Sequence, residues 1–403
     1  MKYLVILTDG MADYPIDELG GKTPLQSAKT PNLDKLARHS IIGKVATIPE
    51  GFPPGSDVAN LSVMGYDPAI YYTGRSPLEA VSMGIDLQDV DMAIRCNLVT
   101  LSTEDDYSAK TMLDYSAEEI PTDIAHQLMS AIQSGLNDDQ FTFYSGISYR
   151  HLLVWKAGYD KEVILTPPHD ISEQKITANL PQGRDGNYLQ NLMLKSWDIL
   201  KDHPVNLSLI ASGRKPANSI WFWGDGRKPA LPSFAEKYSL NGSVVCAVDL
   251  VRGLGICAGL TPISVAGATG SVKTNFKGKA QAAINELKSG KDFVFVHIES
   301  PDESGHQGSL HNKIWSIEQI DSQVIGTILE AIEGIAEDIR IMVLPDHATP
   351  LSIRTHSSDP VPFMIFDSRH PFSDSVGVFD EIAADSGPFI FPGHTLMDFF
   401  INQ

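Results

Sequence analysis

Short apolar runs that each halt at a polar loop recur along this chain, and they leave few choices of fold. Lys2 to Leu7 is one, stopped by Thr8-Asp9-Gly10. Ser243 to Val248, Asp292 to Ile298, Arg340 to Leu344 and Val361 to Phe366 are others. Runs this short, without polar alternation, read as parallel strands buried on both faces. Helical periodicity lies between them, most clearly over Lys313 to Ile335. In Thr30-Pro31-Asn32-Leu33-Asp34-Lys35-Leu36-Ala37 a threonine able to cap precedes a proline suited to the first helical turn. Strands alternating with helices imply an α/β fold built on a doubly wound, mostly parallel sheet.

The texture changes between about Thr100 and Leu165. Leu101 to Tyr115 is polar and turn-rich, Ala117 to Ser134 has the pattern of one amphipathic helix, and Phe141 to Tyr144 and His151 to Trp155 resemble two strands. A chain of 403 residues exceeds one ordinary core. The expected organisation is therefore a main domain from residues 1–99 and 166–403, with a smaller α+β domain, residues 100–165, inserted into it.

Acidic residues number 50 against 31 basic ones, a net charge of -19. Such a surface repels nucleic acid and anionic membranes, although arginines and metal ions can reverse the field locally within a cleft. The N-terminal apolar run is too short for a signal-peptide core, and no stretch approaches the roughly 18 apolar residues needed to span a bilayer. The three cysteines, Cys96, Cys246 and Cys257, show no paired spacing. They suggest a reducing cytoplasm rather than a disulfide framework.

Open α/β sheets bind ligands beyond the carboxyl ends of their strands. Asp9 follows the first strand, Asp302 and His306 follow the Asp292 to Ile298 run, and Asp346 and His347 follow the Arg340 to Leu344 run. His394 lies in a Pro-Gly-His-Thr loop before the last helical segment. All are ligand types for zinc or manganese. Taken singly, each has an ordinary role as a turn former, cap or packed histidine. Recurrence at three strand ends is what points to a metal site.

Ser56, in Pro53-Pro54-Gly55-Ser56-Asp57-Val58-Ala59-Asn60, opens a helical stretch after a Gly/Pro-rich loop. Free N–H groups at a helix start suit a phosphate. A serine hydroxyl needs a base or a metal to become a nucleophile, so the serine and the metal cluster reinforce each other.

These segments resemble the alkaline phosphatase superfamily and, within it, the archaeal-type cofactor-independent phosphoglycerate mutases. The Thr30 to Ala37 segment is similar to one shared across that superfamily. Pro54 to Ser62 with Gly65-Tyr66-Asp67-Pro68, Tyr72-Thr73-Gly74-Arg75, Arg95-Cys96-Asn97, Gly267-Ala268-Thr269-Gly270, Asp346-His347-Ala348-Thr349-Pro350 and Gly393-His394-Thr395 resemble the mutase subgroup in order along nearly the whole chain. The resemblance implies an alkaline phosphatase-like sheet and a small phosphorylated substrate. It also implies a glycolytic isomerase activity, in which Ser56 takes the phosphoryl group of a phosphoglycerate and returns it to the other hydroxyl. By the same resemblance one divalent ion is held by Asp302, His306 and His394, and the other by Asp9, Asp346, His347 and the Ser56 oxygen. Manganese is the first choice for such mixed ligands, with zinc or magnesium as alternatives. No bisphosphoglycerate is required.

Substrate anions call for arginine forks. The candidates are Arg75, Arg95 with Asn97, Arg150 with His151, Arg184, Arg214, Lys273 in a Gly-rich stretch, and His169 and Asp170 in a Pro-Pro hinge. The inserted domain is expected to close over the substrate and keep water from a phosphoserine. The segment Asn218 to Pro229 also resembles a branch of the same group proposed to act as homoserine kinase, which keeps the serine and metals but changes the acceptor. A plain phosphatase and a non-catalytic phosphate-binding homologue are the remaining alternatives. The absence of a GxxxxGK[ST] loop and the full set of ligand-type residues weigh against the kinase and the non-catalytic reading.

Overall fold

The computed structural model describes residues 1–332, 334–370 and 377–402. The strands of its N-terminal half are β1 (Lys2–Thr8), β2 (Ser40–Val45), β3 (Met92–Leu101), β4 (Met112–Asp114), β5 (Phe141–Tyr144) and β6 (Arg150–Trp155). They are followed by β7 (Ser219–Gly226), β8 (Gly242–Val245), β9 (Thr261–Ile263), β10 (Phe293–Ile298), β11 (Ile339–Leu344), β12 (Val361–Asp367) and β13 (Phe389–Ile390). The chain divides into two compact units, Met1–Tyr72 with Ala230–Gln403, and Thr73–Pro229.

The first unit is built on an eight-stranded sheet in the order β13-β2-β12-β11-β1-β10-β8-β9. β1 is central and pairs in parallel with both β10 and β11, with Leu7 opposite His297 and Leu344. The three strands therefore end side by side, and the loops after them leave the same edge. β12 is antiparallel to both of its neighbours, so its amino end lies at that edge too. Every residue of β10 and β11 is buried, as the unbroken apolar runs require. Leu4, Ile6, Val294, Val296, Ile341 and Val343 form one core layer with Ala280, Ile284, Ile317 and Val324 from the helical segments packed on it.

The expected doubly wound sheet is present, with two local departures. The helical stretch expected over Lys313 to Ile335 is an α-helix over Leu310–Gln319, a π turn over Ile320–Ile325 and a further helix over Gly326–Ile332. In that turn the Asp321 carboxylate accepts from Asn32 N (2.9 Å) and Leu33 N (2.7 Å). It thereby caps the Pro31–Ala37 helix, the task expected of Thr30, whose side chain makes no capping bond. A distant carboxylate has replaced a local cap.

The second unit is an antiparallel sheet in which β3 pairs with both β6 and β7, β5 pairs with β6, and β4 joins the end of β3. The helices Thr122–Leu136 and Gly186–Leu200 supply Leu128, Ile132, Leu189 and Met193 to a core shared with Ile94, Cys96, Leu153 and Phe222. This unit is wider than the expected 100–165. The reason is β3, a ten-residue strand over Met92–Leu101 that binds the β6 and β7 segments into one sheet. The helix expected from Ala117 begins at Thr122, because Ala117, Glu118 and Glu119 adopt positive φ ahead of Pro121.

The unit begins and ends at one neck. Arg227 N donates to Thr73 O (3.1 Å) and Thr73 Oγ1 donates to Arg227 O (2.5 Å). A Cβ at Gly226 would lie 2.3 Å from Thr73 O, and one at Gly74, where φ is +103°, would lie 2.5 Å from Asp225 O. Glycine at both positions is what lets the backbones come this close. Among the described residues, no helix is long and apolar enough to cross a membrane.

At the far end of β11, buried Arg340 bonds Asp367 Oδ2 through Nε (2.6 Å) and Phe400 O through Nη1 (2.9 Å), joining β11 to β12 and the C-terminal helix. Burial raises the Asp367 carboxyl, but hydrogen bonds from Arg369 and Arg340 outweigh it and hold the group well below the usual carboxylate range. A carboxyl depressed on folding adds stability above its unfolded pKa of about 3.9 and loses it as pH falls through the lower folded value. Asp367→Asn should lower the midpoint of thermal unfolding at pH 7, and the difference from wild type should shrink as pH drops below about 4. A gap that stays constant from pH 7 to pH 2 would remove this ion pair as its cause.

Candidate active site

At the shared edge the backbone places carboxylates with little freedom. Asp9 is the first residue after β1, and its N–H donates to Ile298 O at the end of β10 (3.0 Å). Asp302 stands in the first turn of the helix Ser300–His306, and His306 ends that helix one turn later. Asp346 and His347 follow β11. Asp9, Asp346 and His347 each offer an atom within 4.8 Å of the others, and so do Asp302, His347 and His356.

Ser56 begins the helix Ser56–Val63, with Gly55 preceding it and no side-chain cap. Its Oγ lies 3.1 Å from His347 Nε2. One turn on, Asn60 Nδ2 donates to Ser56 O (2.9 Å) and to Asp346 Oδ2 (2.8 Å), so one side chain ties the serine's helix to the carboxylate. Asp346 Oδ1 accepts from Gly10 N (3.3 Å) and His347 N (2.9 Å). Asp9 Oδ2 accepts from His297 Nε2 (2.8 Å), while Asp9 Oδ1 is buried without a hydrogen bond.

The imidazole tautomers follow from their partners. His306 Nδ1 bonds Arg354 O (3.0 Å) and His356 Nδ1 bonds Pro54 O (3.4 Å). A carbonyl only accepts, so both Nδ1 atoms carry the hydrogen in the neutral rings. Their Nε2 lone pairs then face each other at 2.9 Å, each 3.4 Å from an Asp302 oxygen. Two lone pairs and a carboxylate converging on one point demand a positive charge there. The titration directions agree. The hydrogen bond to Asp302 raises the His306 imidazole to about 9 despite partial burial. Burial raises Asp302, but hydrogen bonds from His306 and His356 outweigh it and hold the group low. Asp9 is pushed well above the usual range by burial, then by the charges of Asp346, Asp302 and Glu299.

Six of the seven residues expected at the metal centre gather here: Asp9, Ser56, Asp302, His306, Asp346 and His347. His394 sits in the Gly393–Thr395 turn with Nδ1 3.8 Å from Asp67 Oδ1 and, like His306, is in neither group of three, but unlike His306 it is paired with none of the others. His356, absent from the residues expected on sequence, stands among them, with its ring 3.9 Å from that of His347 and an atom in the group with Asp302 and His347. The signal lay in strand direction. A search after strand ends finds residues following parallel strands, whereas His356 precedes antiparallel β12 and reaches the edge from the other side.

The candidate substrate residues divide differently. Arg75 and Arg95 share the single carboxylate of Glu79, and Arg95 also stacks over Trp223 (4.3 Å to the ring centroid). Burial lowers the Arg95 pKa, Glu79 opposes the shift, and the charges of Arg75 and Arg150 add to it. Three guanidinium groups thus lie together with one glutamate. Asn97 supports two neighbours. It accepts from Trp223 Nε1 (2.9 Å) and donates to Tyr115 O (3.1 Å). His169 packs edge-on against Trp223 and Tyr115, with Asp170 beside it. His151 is a correction. It is buried, Nδ1 accepts from Gly146 N (3.0 Å), and burial lowers its pKa to about 3, so it belongs to the core and not to a substrate surface. Arg214 stands beside Glu118, and Arg184 beside Asp185 and Glu162. Lys273 belongs to the first unit, on an exposed loop where its N–H donates to Ser271 Oγ (3.4 Å).

A serine at a helix start, set among carboxylates and imidazoles at the carboxyl edge of a doubly wound sheet, is a layout suited to metal-assisted phosphoryl transfer. Comparison with known proteins narrows that class. A family model described as 2,3-bisphosphoglycerate-independent phosphoglycerate mutase matches residues 37–206. The protein of that name from Methanosarcina barkeri is 50% identical over 387 residues, covering 96% of each chain. One from Geobacter sulfurreducens, named as a probable member, is 48% identical over 404 residues and the full length of both. Among solved structures, a protein from Pyrococcus horikoshii matches with a TM-score of 0.82 at 30% identity, covering 100% of this chain and 96% of that one. The cofactor-independent phosphoglycerate mutase from Thermoplasma acidophilum matches with a TM-score of 0.69 at 28% identity, covering 100% and 99%. The chain belongs to the 2,3-bisphosphoglycerate-independent phosphoglycerate mutase family.

Whether His356 or His394 completes the ligand set has a direct test. Manganese uptake by chelator-stripped protein, measured after dialysis, should fall in His356→Ala and stay unchanged in His394→Ala. The opposite pattern would return His394 to the ligand set.

Proposed function

We propose that this protein interconverts 2- and 3-phosphoglycerate without a bisphosphoglycerate cofactor, through a phosphoserine at Ser56. The observation that carries the reading is the position of Ser56 Oγ, 3.1 Å from His347 Nε2 at the point where the two ligand groups meet. The donors suit divalent ions. Asp9 Oδ1 is a buried carboxylate oxygen without a partner, and the Nε2 lone pairs of His306 and His356 face each other. An unpaired buried carboxylate oxygen and two converging imidazole lone pairs suit a bound cation. Asp302, His306 and His356 would hold one ion, and Asp9, Asp346, His347 and the Ser56 oxygen the other. Manganese suits the mixed oxygen and nitrogen set, with zinc or magnesium as the alternatives. The bound ions would supply charge that neutralises the nonbridging phosphate oxygens and lowers the pKa of the Ser56 hydroxyl.

The chain's own groups do the rest. Ser56 Oγ bonds to phosphorus as the phosphate ester bond breaks, and the proton that Ser56 gives up ends on the released glycerate oxygen. The second glycerate hydroxyl then attacks phosphoserine, the Ser56 Oγ–P bond breaks, and the proton of the attacking hydroxyl passes to Ser56 Oγ. Asn60 keeps the serine's helix in register with Asp346 throughout. The Ser56 and Asp57 N–H groups at the helix start are suited to phosphate oxygens. Arg75 and Arg95, which share Glu79, and Arg150 near them suit the anionic groups of the substrate, with Trp223 and His169 as a wall beside them. The unit Thr73–Pro229 is in this reading the substrate-recognising part. The free cysteines Cys96, Cys246 and Cys257 fit a cytoplasmic setting.

Manganese-loaded protein should convert 3-phosphoglycerate to 2-phosphoglycerate in a coupled assay without bisphosphoglycerate, and chelator should abolish the reaction. Phosphohomoserine formed from homoserine and ATP, with no action on phosphoglycerate, would overturn the substrate. Ser56→Ala should lower turnover roughly a thousandfold or more with little loss of metal; retained turnover would take Ser56 out of the mechanism. Arg150→Gln should raise KM for 3-phosphoglycerate roughly ten- to a hundredfold, the size expected for one charge-assisted hydrogen bond. An unchanged KM would remove Arg150 from substrate binding.

A further inference from the structure

Three segments that carry the ligand residues close on one buried side chain, Thr349. Its Oγ1 donates a short hydrogen bond to Asp302 Oδ1 and lies 3.3 Å from His347 Nδ1. A hydroxyl has one hydrogen to give. With that hydrogen on Asp302, the same oxygen accepts from His347 Nδ1–H, which leaves Nε2 of His347 as the lone pair facing Ser56, Asp9 and Asp346.

The surroundings show that this contact is built. A Cβ on Gly10 would lie 2.6 Å from Thr349 Oγ1, and one on Gly305 would lie 2.7 Å from Thr349 Cγ2 and 2.5 Å from its carbonyl oxygen. Gly10 follows Asp9 and Gly305 precedes His306, so each glycine makes room for Thr349 beside a ligand. Buried Lys313 fixes the backbone of the same loops by donating to Thr349 O (2.8 Å), Ala12 O (3.2 Å) and Asp13 Oδ2 (2.7 Å).

We propose that Thr349 is a positioning residue that sets both ligand groups at once, its one hydroxyl fixing the rotamer of Asp302 in the first group and the tautomer of His347 in both. This rests on the two-ion reading given above. Loss of the hydroxyl frees the Asp302 carboxylate and leaves His347 able to place its hydrogen on Nε2, where a ligand needs a lone pair. Both sites therefore weaken together although Thr349 touches neither ion. Partners that orient metal ligands typically influence affinity by about 10- to 100-fold.

Thr349→Val keeps the volume and removes the hydroxyl, while Thr349→Ser keeps the hydroxyl and removes a methyl group. Chelator-stripped, full-length wild type and variants would be titrated with manganese, with free ion followed by electron paramagnetic resonance. The expected result is two ions on wild type, affinity lost at both sites by about tenfold or more in Thr349→Val, and near-wild-type binding in Thr349→Ser. Thermal unfolding of the stripped proteins checks the fold. Should the valine variant fail to fold, Thr349→Ala replaces it, since the effect rests on the hydroxyl. Wild-type affinity in the hydroxyl-free variant, loss at one site only, or a serine variant as weak as valine would each overturn the proposal. Wild type that takes up fewer than two ions would overturn the two-ion reading itself, and this role with it.

Discussion

Three carboxylates buried at one edge of a sheet, Asp9, Asp302 and Asp346, are the constraint around which the first unit is arranged. Parallel pairing of β1 with β10 and β11 forces their following loops together, and those loops bear the carboxylates. Like charges so placed repel one another unless each is oriented and compensated. The surrounding groups do the orienting. His297 holds Asp9, Asn60 and Gly10 hold Asp346, and Thr349 holds Asp302. Lys279 donates to His297 O (3.0 Å), and burial lowers its own pKa to about 8. Lys313 bonds Asp13 rather than the cluster. The fixed cations thus steady the framework, while the converging point of the ligand atoms is left for mobile positive charge.

Much of this framework was legible in the sequence because it is carried by local pattern. An apolar run followed by an acidic loop says both where a strand ends and what stands beyond it, and Asp9, Asp302 and Asp346 were found that way. What stayed hidden depends on contacts distant in sequence. Asp321 caps a helix 289 residues away from it. β3 gathers the second unit through pairings with segments on either side of a helix. His356 sits before a strand whose reversed direction no local pattern announces. His151 was expected ahead of an apolar strand, but it lies inside that strand, where every residue after Arg150 is buried, and only the neighbouring strands reveal that both faces are covered.

The arginine cluster adds a contrast in charge. The chain as a whole carries -19, yet Arg75, Arg95 and Arg150 stand together with Glu79 as the near carboxylate. Because Asn97 locks Trp223 and Trp223 underlies Arg95, one of the guanidinium groups is held in a fixed plane instead of sampling solvent. Less conformational freedom is then lost when an anion binds it.

The neck at Thr73 and Arg227 has a consequence for how such a protein can change over time. An insertion whose two ends are hydrogen-bonded to each other behaves as a closed bracket in the text of the chain. The eight-stranded sheet reads the same with the bracket long, short or rewritten, since none of its pairings passes through it. Entropy of closure grows only slowly with the length enclosed. A lineage can therefore exchange the bracketed 157 residues of Thr73–Pro229 for others while its serine and carboxylates remain where they were.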